Sequence, residues 1–299
     1  MPFRSGFAAI VGAPNVGKST LLNKMLGEKV SITSHKPQTT RNRVQGVVHR
    51  PGSQMVMLDT PGIHPAKGSL NRYMVEVADA TLADVDLILF VVDASKPSPE
   101  SEALVVEKLK SRVKPVVLAV NKIDIVEKEA LLPILDSWSK AHDFHALVPV
   151  SARTGLQVDA LLNRMEELLP EGPPYFPEDA LTDMTERFLA AELVREKVFR
   201  LIEQEVPYAV AVTVESFEEP EKAGRPVRVS AVIHVEKDSQ KGIIIGKAGA
   251  MLKKIGTQAR KDLERMLGAR VFLELFVRVE KNWTTDPKAL RRLGYEPLA

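Results

Sequence analysis

The sequence predicts two folded units in tandem: an α/β domain built on a mostly parallel sheet, then a smaller α+β domain. Residues 6–175 alternate short apolar, strand-like runs with helical stretches. Residues 170–177 then hold four prolines in eight positions, and the stretch beyond them reads helix, strand, strand, helix, turn, helix, strand. A chain of 299 residues, 44% hydrophobic and 27% charged, suits two independently cored domains, and no apolar run approaches the ~20 residues that span a bilayer. Cysteine is absent, which excludes disulfides and thiolate metal sites. Residues 1–6 lead straight into the first strand without the pattern of a secretory leader, so a cytoplasmic location is expected.

In the first unit the clearest strands are 7–11, 54–59, 87–93, 116–121 and 147–150. Gly12, Asp59, Asp93, Asn121 and Ser151 close or follow these runs. That edge of a parallel sheet is where open α/β folds bind ligands. The proline-rich stretch favours extended chain and marks the boundary: residues 1–170 form the first domain, 171–182 a semi-rigid linker, and 183–299 the second domain with its tail. In the second domain Phe188, Ala191, Val194, Val198 and Leu201 recur at helical spacing, and Tyr208, Val210, Val212 and Val214 alternate as in a strand. A second strand follows at 227–235, then a glycine-rich turn, a helix with Leu252, Ile255, Ala259 and Leu263 on its apolar face, and a third strand at 271–279. The net charge is only +2, yet residues 241–299 carry 13 Lys and Arg against 6 Asp and Glu. A basic end points to a polyanionic partner; a solvated basic helix face is the plainer account if nothing else marks the region.

Gly12-Ala13-Pro14-Asn15-Val16-Gly17-Lys18-Ser19 matches the phosphate-loop pattern GxxxxGK[ST], between the first strand and a helix over 19–26 that begins Ser19-Thr20. Glycines at both ends let the backbone curl, so that its N–H groups and the helix N-terminus face phosphate oxygens. Lys18 is placed to bridge β- and γ-phosphates, and the Ser19 hydroxyl to ligate Mg²⁺. A chance glycine-rich turn is the alternative, and the flanking strand and helix weigh against it. Asp59-Thr60-Pro61-Gly62 ends a strand, where Asp59 can hold Mg²⁺ through water and Gly62 can offer its N–H to the γ-phosphate. Asn121-Lys122-Ile123-Asp124 selects the base: a carboxylate at Asp124 can accept from N1–H and the exocyclic amine of guanine, whereas adenine has neither donor there. Asn121 would fix the geometry, the Lys122 stem would cover the ring, and Ser151-Ala152-Arg153 could present the Ala152 N–H to guanine O6.

These pieces resemble those of the translation-factor-class GTPases. The resemblance implies a switch-loop threonine that completes the Mg²⁺ shell when the γ-phosphate is present. Pro37-Gln38-Thr39-Thr40-Arg41 supplies two candidates, of which similarity favours Thr40 over Thr39. Lys18, Thr40 and Gly62 are then the expected catalytic residues. Ile63 stands where Ras-like enzymes carry a water-orienting glutamine, so slow intrinsic turnover is expected. Asn15 resembles an asparagine that ligates potassium in some related GTPases, and stimulation by K⁺ is the corresponding hypothesis.

The helix and strand order of the second domain is that of a type II KH domain, with its GxxG element at Gly246-Lys247-Ala248-Gly249. The glycines admit a sugar-phosphate backbone, and four nucleotides are held in an apolar groove. Lys241, Gly242, Ile245, Gly246, Lys247, Ala248, Gly249, Lys253 and Lys254 form the expected RNA-binding set, the lysines supplying the electrostatic part. A lone GxxG is a weak signal; its place between helices in a basic region strengthens it.

A GTPase, a proline-rich linker and a KH domain together, over roughly residues 5–297, resemble the Era-like GTPases. The resemblance implies binding of GTP and GDP, binding of the 3′ end of 16S ribosomal RNA in the GTP state with release after hydrolysis, and a role in small-subunit (30S) assembly and rRNA maturation. It also implies a monomer, with peripheral association at the inner face of the plasma membrane reported for the family. Two other readings stay open: an RNA-binding module with a structural nucleotide, and an ATPase acting on RNA, against which Asp124 argues. His142 and His145 have no nearby carboxylate cluster and make a poor metal site. Trp283 and the 281–292 stretch either contact RNA or cap the KH sheet, and the sequence does not decide.

Overall fold

The protein is described here by a computed structural model covering residues 2–65, 68–203, 205–220 and 224–296. Strands β1 (Arg4–Val11), β2 (Val44–Arg50), β3 (Ser53–Asp59), β4 (Leu87–Asp93), β5 (Val116–Asn121) and β6 (Ala146–Pro149) form a sheet in the order β2-β3-β1-β4-β5-β6. All neighbours are parallel except β2, which runs antiparallel to β3. Helices α1 (Lys18–Leu26) and α5 (Val158–Glu167) cover one face. Helices α2 (Ser69–Ala83), α3 (Pro99–Lys110) and α4 (Lys128–Ser139) cover the other. In β1, Ala8 and Ile10 pack into the first layer and Ala9 and Val11 into the second, which is why the strand reads as an unbroken apolar run.

The expected strands are present with shifted ends: β1 starts at Arg4, three residues before the apolar run, and β6 ends at Pro149. Strand β2 was not expected. Its sequence, Val44-Gln45-Gly46-Val47-Val48-His49-Arg50, has no clean alternation, and its first five residues are all buried beside β3. Gly46 lies under α1, where an added Cβ would sit 2.6 Å from Leu26 Cδ1.

The proline-rich segment is strapped along the first domain by hydrogen bonds. Ser5 N donates to Pro170 O at 3.1 Å and Gly172 N to Phe3 O at 3.1 Å. Tyr175 N and Phe176 N both donate to Gln54 Oε1, at 2.6 and 3.0 Å. Val47 N reaches Leu181 O at 2.9 Å and Thr182 Oγ1 donates to Gln45 O at 2.6 Å, which blunts the edge of β2.

The second domain comprises α6 (Glu186–Leu201), β7 (Ala211–Glu218), β8 (Val227–Val235), α7 (Asp238–Ile245), α8 (Ala250–Leu267), β9 (Val271–Val279) and α9 (Pro287–Arg292). Its sheet has the order β7-β8-β9, with β7–β8 antiparallel and β8–β9 parallel. Val194 and Val198 of α6 and Ile255 and Ala259 of α8 close the core over Val212, Ala231, Ile233 and Val235. The strand expected from Tyr208 begins instead at Ala211. Residues Val206–Ala209 form a 3₁₀ turn with Pro207 near its start, where a missing N–H costs nothing. A bulge between Val214 and Ser216 then breaks the simple alternation.

Trp283 is fully buried. Its indole N–H donates to Ala209 O at 3.0 Å and its ring stacks on Tyr295 at 5.7 Å. It packs with Leu70, Tyr73, Met74 and Val77 of α2 and with Leu290 and Leu293 of the C-terminal segment, so it joins the two domains and has no surface for RNA. Among the described residues no helix is long and apolar enough to cross a membrane. Trp283→Ala is expected to lower stability by about 3–5 kcal/mol, read from the urea midpoint at constant m-value.

Candidate nucleotide site and RNA-facing loop

The loop from Gly12 to Gly17 curls because its backbone enters the left-handed region at Gly12 (φ 152°), Asn15 (φ 64°) and Gly17 (φ 101°). Glycine is required at the two ends for contact as well: an added Cβ at Gly12 would lie 2.2 Å from Val91 O, and at Gly17 2.3 Å from Asn121 Nδ2. Lys18 is the first residue of α1, not Ser19 as expected, and it is buried with Nζ donating to Gly12 O at 3.1 Å and Ala13 O at 2.9 Å. Burial lowers its pKa to about 8, against the opposing pull of Asp59.

Asp59 is fully buried at the end of β3. Its Oδ2 accepts from Ser19 Oγ at 2.6 Å, Ser31 Oγ at 2.9 Å and Thr40 Oγ1 at 3.4 Å, and Ser19 Oγ lies 2.8 Å from Thr40 Oγ1. Its Oδ1 has no hydrogen-bond partner, and burial raises its pKa. Hard oxygen donors around a carboxylate with one atom to spare are the donor set of Mg²⁺, so Ser19, Thr40 and Asp59 fit that ion. Thr39 turns away, donating to Lys36 O at 2.7 Å. Ser31 is a residue that sequence reasoning missed; it belongs to no motif and is brought in by the loop.

Gly62 passes so close to the phosphate loop that an added Cβ would lie 2.7 Å from Pro14 N. Thr60 is tied to β1, its N and Oγ1 both reaching Ile10 O. Ile63 donates its N–H to Gly12 O at 3.1 Å and buries its side chain in the apolar layer. It therefore contributes nothing polar to the site, as its identity predicts. His64 lies against Gly62 with Nδ1 2.8 Å from Gly62 O.

The base end is held by Asn121, whose Nδ2 donates to Val16 O at 2.8 Å and whose Oδ1 accepts from Ala152 N at 2.9 Å. One side chain thus locks the phosphate loop to the 151–153 loop. Lys122 sits in the left-handed region (φ 66°) and reaches back to Asn15 O at 2.8 Å and Asp93 Oδ2 at 2.5 Å. Asp93, marked in the sequence only as a strand end, is the anchor of that lysine. Burial works to raise its pKa, but hydrogen bonds from Lys122 and Ser95 hold it below the ordinary value. Asp124 accepts from Ser151 Oγ at 2.7 Å and pairs with the Arg153 guanidinium. The Ser151 bond, then the Arg153 charge, keep its pKa low, so at neutral pH it is an acceptor only. One cavity of about 1050 Å³ runs from residues 14–20 past 32–40 to Asp124, Ala152 and Arg153, large enough for a nucleoside triphosphate.

In the second domain α7 ends at Gly246 (φ 72°), and the turn continues through Ala248 (φ 50°) and Gly249 (φ 79°) into α8. Gly246 is needed for packing, since an added Cβ would lie 2.7 Å from Met251 Cβ. Gly242 and Gly249 instead open onto free space. Lys247, Lys253 and Lys254 are exposed, and Lys241 and Ile245 half-buried. Of the three isoleucines before the turn, Ile244 enters the core while Ile243 is 45% exposed. Strand β9 is a sheet edge, and its half-buried Leu275, Val277 and Val279 line an apolar strip beside these helices.

Residues 7–122 match the family described as 50S ribosome-binding GTPase, and residues 205–284 match the KH domain family. The GTPase Era of Geobacter metallireducens is 55% identical over 294 residues, covering 98% of this chain and 98% of its own. The chain belongs to the Era family of GTPases. GTPase Era of Ruminiclostridium cellulolyticum is 47% identical, covering 99% of both chains. A crystal structure of Era with MgGDPNP and nucleotides 1506–1542 of 16S ribosomal RNA has a TM-score of 0.94 at 43% identity, over 98% of this chain and 99% of that one. A variant of Aquifex aeolicus Era bound to GDP·AlF4⁻ matches with the same TM-score of 0.94. As an Era-family protein the chain is a GTPase, with a P-loop domain ahead of a KH domain.

Triphosphate favours the charged form of Lys18, while burial holds the free site near pKa 8. Nucleotide binding is therefore expected to take up a proton above that pH. Affinity should be flat below pH about 8 and fall above it, by at most about 10-fold per pH unit. Calorimetry at pH 8.5 in buffers of different ionisation enthalpy measures this, and no proton uptake there would contradict it.

Proposed function

We propose that this GTPase is a guanine-nucleotide switch that binds the 3′ end of 16S ribosomal RNA in its GTP state, assists 30S assembly and rRNA maturation, and releases RNA after hydrolysis. The observation that carries the nucleotide half is Asp124, held ionised by Ser151 and Arg153 at the far end of the cavity that begins at the phosphate loop. Adenine would leave that carboxylate partly unpaired, and an acceptor left unpaired beneath a bound base costs about 1–3 kcal/mol or more. The RNA half is supported by the full-length likeness to an Era solved with nucleotides 1506–1542 of 16S RNA. That likeness, and not the geometry of residues 7–122, favours the small subunit.

In this reading residues 1–170 act as the GTPase, 171–182 as the strap, and 183–299 as the RNA-binding part. Gly12, Ala13, Pro14, Asn15, Val16 and Gly17 wrap the phosphates with backbone N–H groups. Lys18 neutralises charge on the β- and γ-phosphates, and Gly62 offers its N–H to the γ-phosphate as water attacks in line. Ser19, Thr40 and Asp59 would hold Mg²⁺, which would supply the remaining charge compensation. Thr20, Thr60 and Pro61 shape the loop walls, and Asn121, Lys122, Asp124, Ser151, Ala152 and Arg153 form the base pocket. On the RNA side Gly242 and Gly249 leave the backbone bare for close approach, Ile245 and Gly246 floor the groove, and Lys241, Lys247, Ala248, Lys253 and Lys254 meet the phosphates. The protein works as a monomer in the cytoplasm, with any membrane association peripheral.

Asp124→Asn is expected to lower GTP affinity by about 100-fold and to move preference toward XTP; unchanged GTP binding would refute the base assignment. Asn15 Nδ2 donates to His35 O at 3.0 Å, tying the phosphate loop to the switch loop where a monovalent ion would neutralise charge. Hydrolysis is expected to be faster in potassium than in sodium at matched ionic strength, and equal rates would remove K⁺ from the scheme. A small-subunit 3′-end oligonucleotide should bind more tightly with a GTP analogue than with GDP, while a scrambled control should not.

A further inference from the structure

The threonine that faces Asp59 is gripped on both sides by the other domain. The Thr39 carbonyl accepts from Arg195 Nη2 of α6. On the far side Arg41, only 1% exposed, leaves the first domain altogether and is buried in the second. Its guanidinium donates to Val210 O at 2.7 Å, Tyr208 O at 2.9 Å and Pro207 O at 3.2 Å, and lies 3.3 Å from Tyr295 Oη. Phe199, Trp283 and Tyr295 place ring faces 5.5, 5.9 and 5.9 Å from it. The charge is thus met by carbonyl dipoles and π faces, a geometry that suits a planar fork and not a lysine ammonium.

The rest of the loop follows α6 in the same way. Lys36 Nζ donates to Phe199 O at 2.7 Å and to Ile202 O, placing a cation on the carbonyl end of that helix. Thr33 N donates to Glu196 Oε1 at 3.0 Å, and Arg200 holds Thr33 O at 3.1 Å. From within its own domain, residues 33–41 receive the Asn15 bond to His35, a Gln38–Asn71 bond at 3.0 Å, and the Thr40 contacts themselves.

We infer that the KH domain completes the GTPase site, and that Arg41 is a positioning residue which sets Thr40 by anchoring the adjacent backbone in the second domain. The inference rests on reading Thr40 as a Mg²⁺ ligand of the GTP state. Because neighbouring residues on one backbone serve the metal and the KH domain, a displaced Arg41 pulls Thr40 away from Ser19 and Asp59. The phosphate loop and base pocket, which hold GDP, do not depend on it.

The test uses the full chain with Arg41→Ala, Arg41→Lys and, as a surface variant that does not empty a buried site, Lys36→Ala. Three quantities are read: GDP affinity, the Mg²⁺ concentration for half-maximal binding of a non-hydrolysable GTP analogue, and the kcat for hydrolysis. Expected for Arg41→Ala is unchanged GDP affinity, a several-fold higher Mg²⁺ requirement with the analogue only, and kcat lower by about 10- to 100-fold. Arg41→Lys should not restore kcat, and Lys36→Ala should shift the Mg²⁺ requirement in the same direction by less. Equal loss of GDP and analogue affinity in all three would show a folding effect and overturn the inference, as would an unchanged Mg²⁺ requirement. If Arg41→Ala does not fold, Arg41→Lys and Lys36→Ala decide by the same two readouts. None of these involves RNA, so failure of nucleotide-dependent RNA binding would sink the proposed switch and leave this result standing on its own.

Discussion

The nucleotide site is organised by one buried carboxylate. Asp59 has no exposed surface, and taking such a group out of water costs several kcal/mol unless hydrogen bonds and an opposite charge offset it. Here the offsets come from two other stretches of chain: the Lys18 charge and the Ser19 hydroxyl at the head of α1, and Ser31 and Thr40 in the loop after it. The end of β3, the start of α1 and the loop must therefore keep one mutual arrangement. Apolar packing of α1 on the sheet sets the first two against each other, and the hydroxyls of Ser31 and Thr40 fix the loop to the same polar group, whose Oδ1 stays unpartnered.

A second constraint lies across the domain boundary. A buried guanidinium needs partners in fixed directions, and those of Arg41 all belong to the second domain. Elsewhere on the same boundary Lys29, Lys197 and Glu196 form an ion-pair cluster with Asp262, in which Glu196 is fully buried and the pKa of Asp262 is lowered to about 2. Burial works to raise that pKa, and the bonds from Lys197 and Lys29 overcome it. The apolar contact of Trp283 with α2 completes the join. The loop before β2, which lines the cavity, and α2, which follows Gly62 in the chain, thus both carry partners in the second domain. The two domains are held by directional polar contacts and by apolar packing together.

Much of this was legible in one dimension because the chemistry is local. A curled phosphate loop needs Gly12 and Gly17 at set spacing, and the clashes that a Cβ would make with Val91 O and Asn121 show why no other residue serves. The same holds for Gly62 against Pro14 and for Asp124 beside Ser151. Strand β2 was missed because its pattern arises from pairing with β3 and from cover by residues 181–182, neither of which leaves a periodic trace. Ser31 escaped notice, and Asp93 was marked only as a strand end, for a related reason: each acts through a partner many residues away, Asp59 and Lys122 respectively.

The sequence by itself determined the order of the two folds and marked the phosphate loop, the Asp124 carboxylate and the GxxG turn, since each depends on backbone conformation or residue chemistry within a few positions. Only the tertiary structure decided that Thr40 and not Thr39 faces the carboxylate, that Trp283 is interior, and that Arg41 belongs to the other domain. Those outcomes depend on which groups end up desolvated together. Desolvation is a property of packed surfaces that neighbouring positions along a chain do not encode.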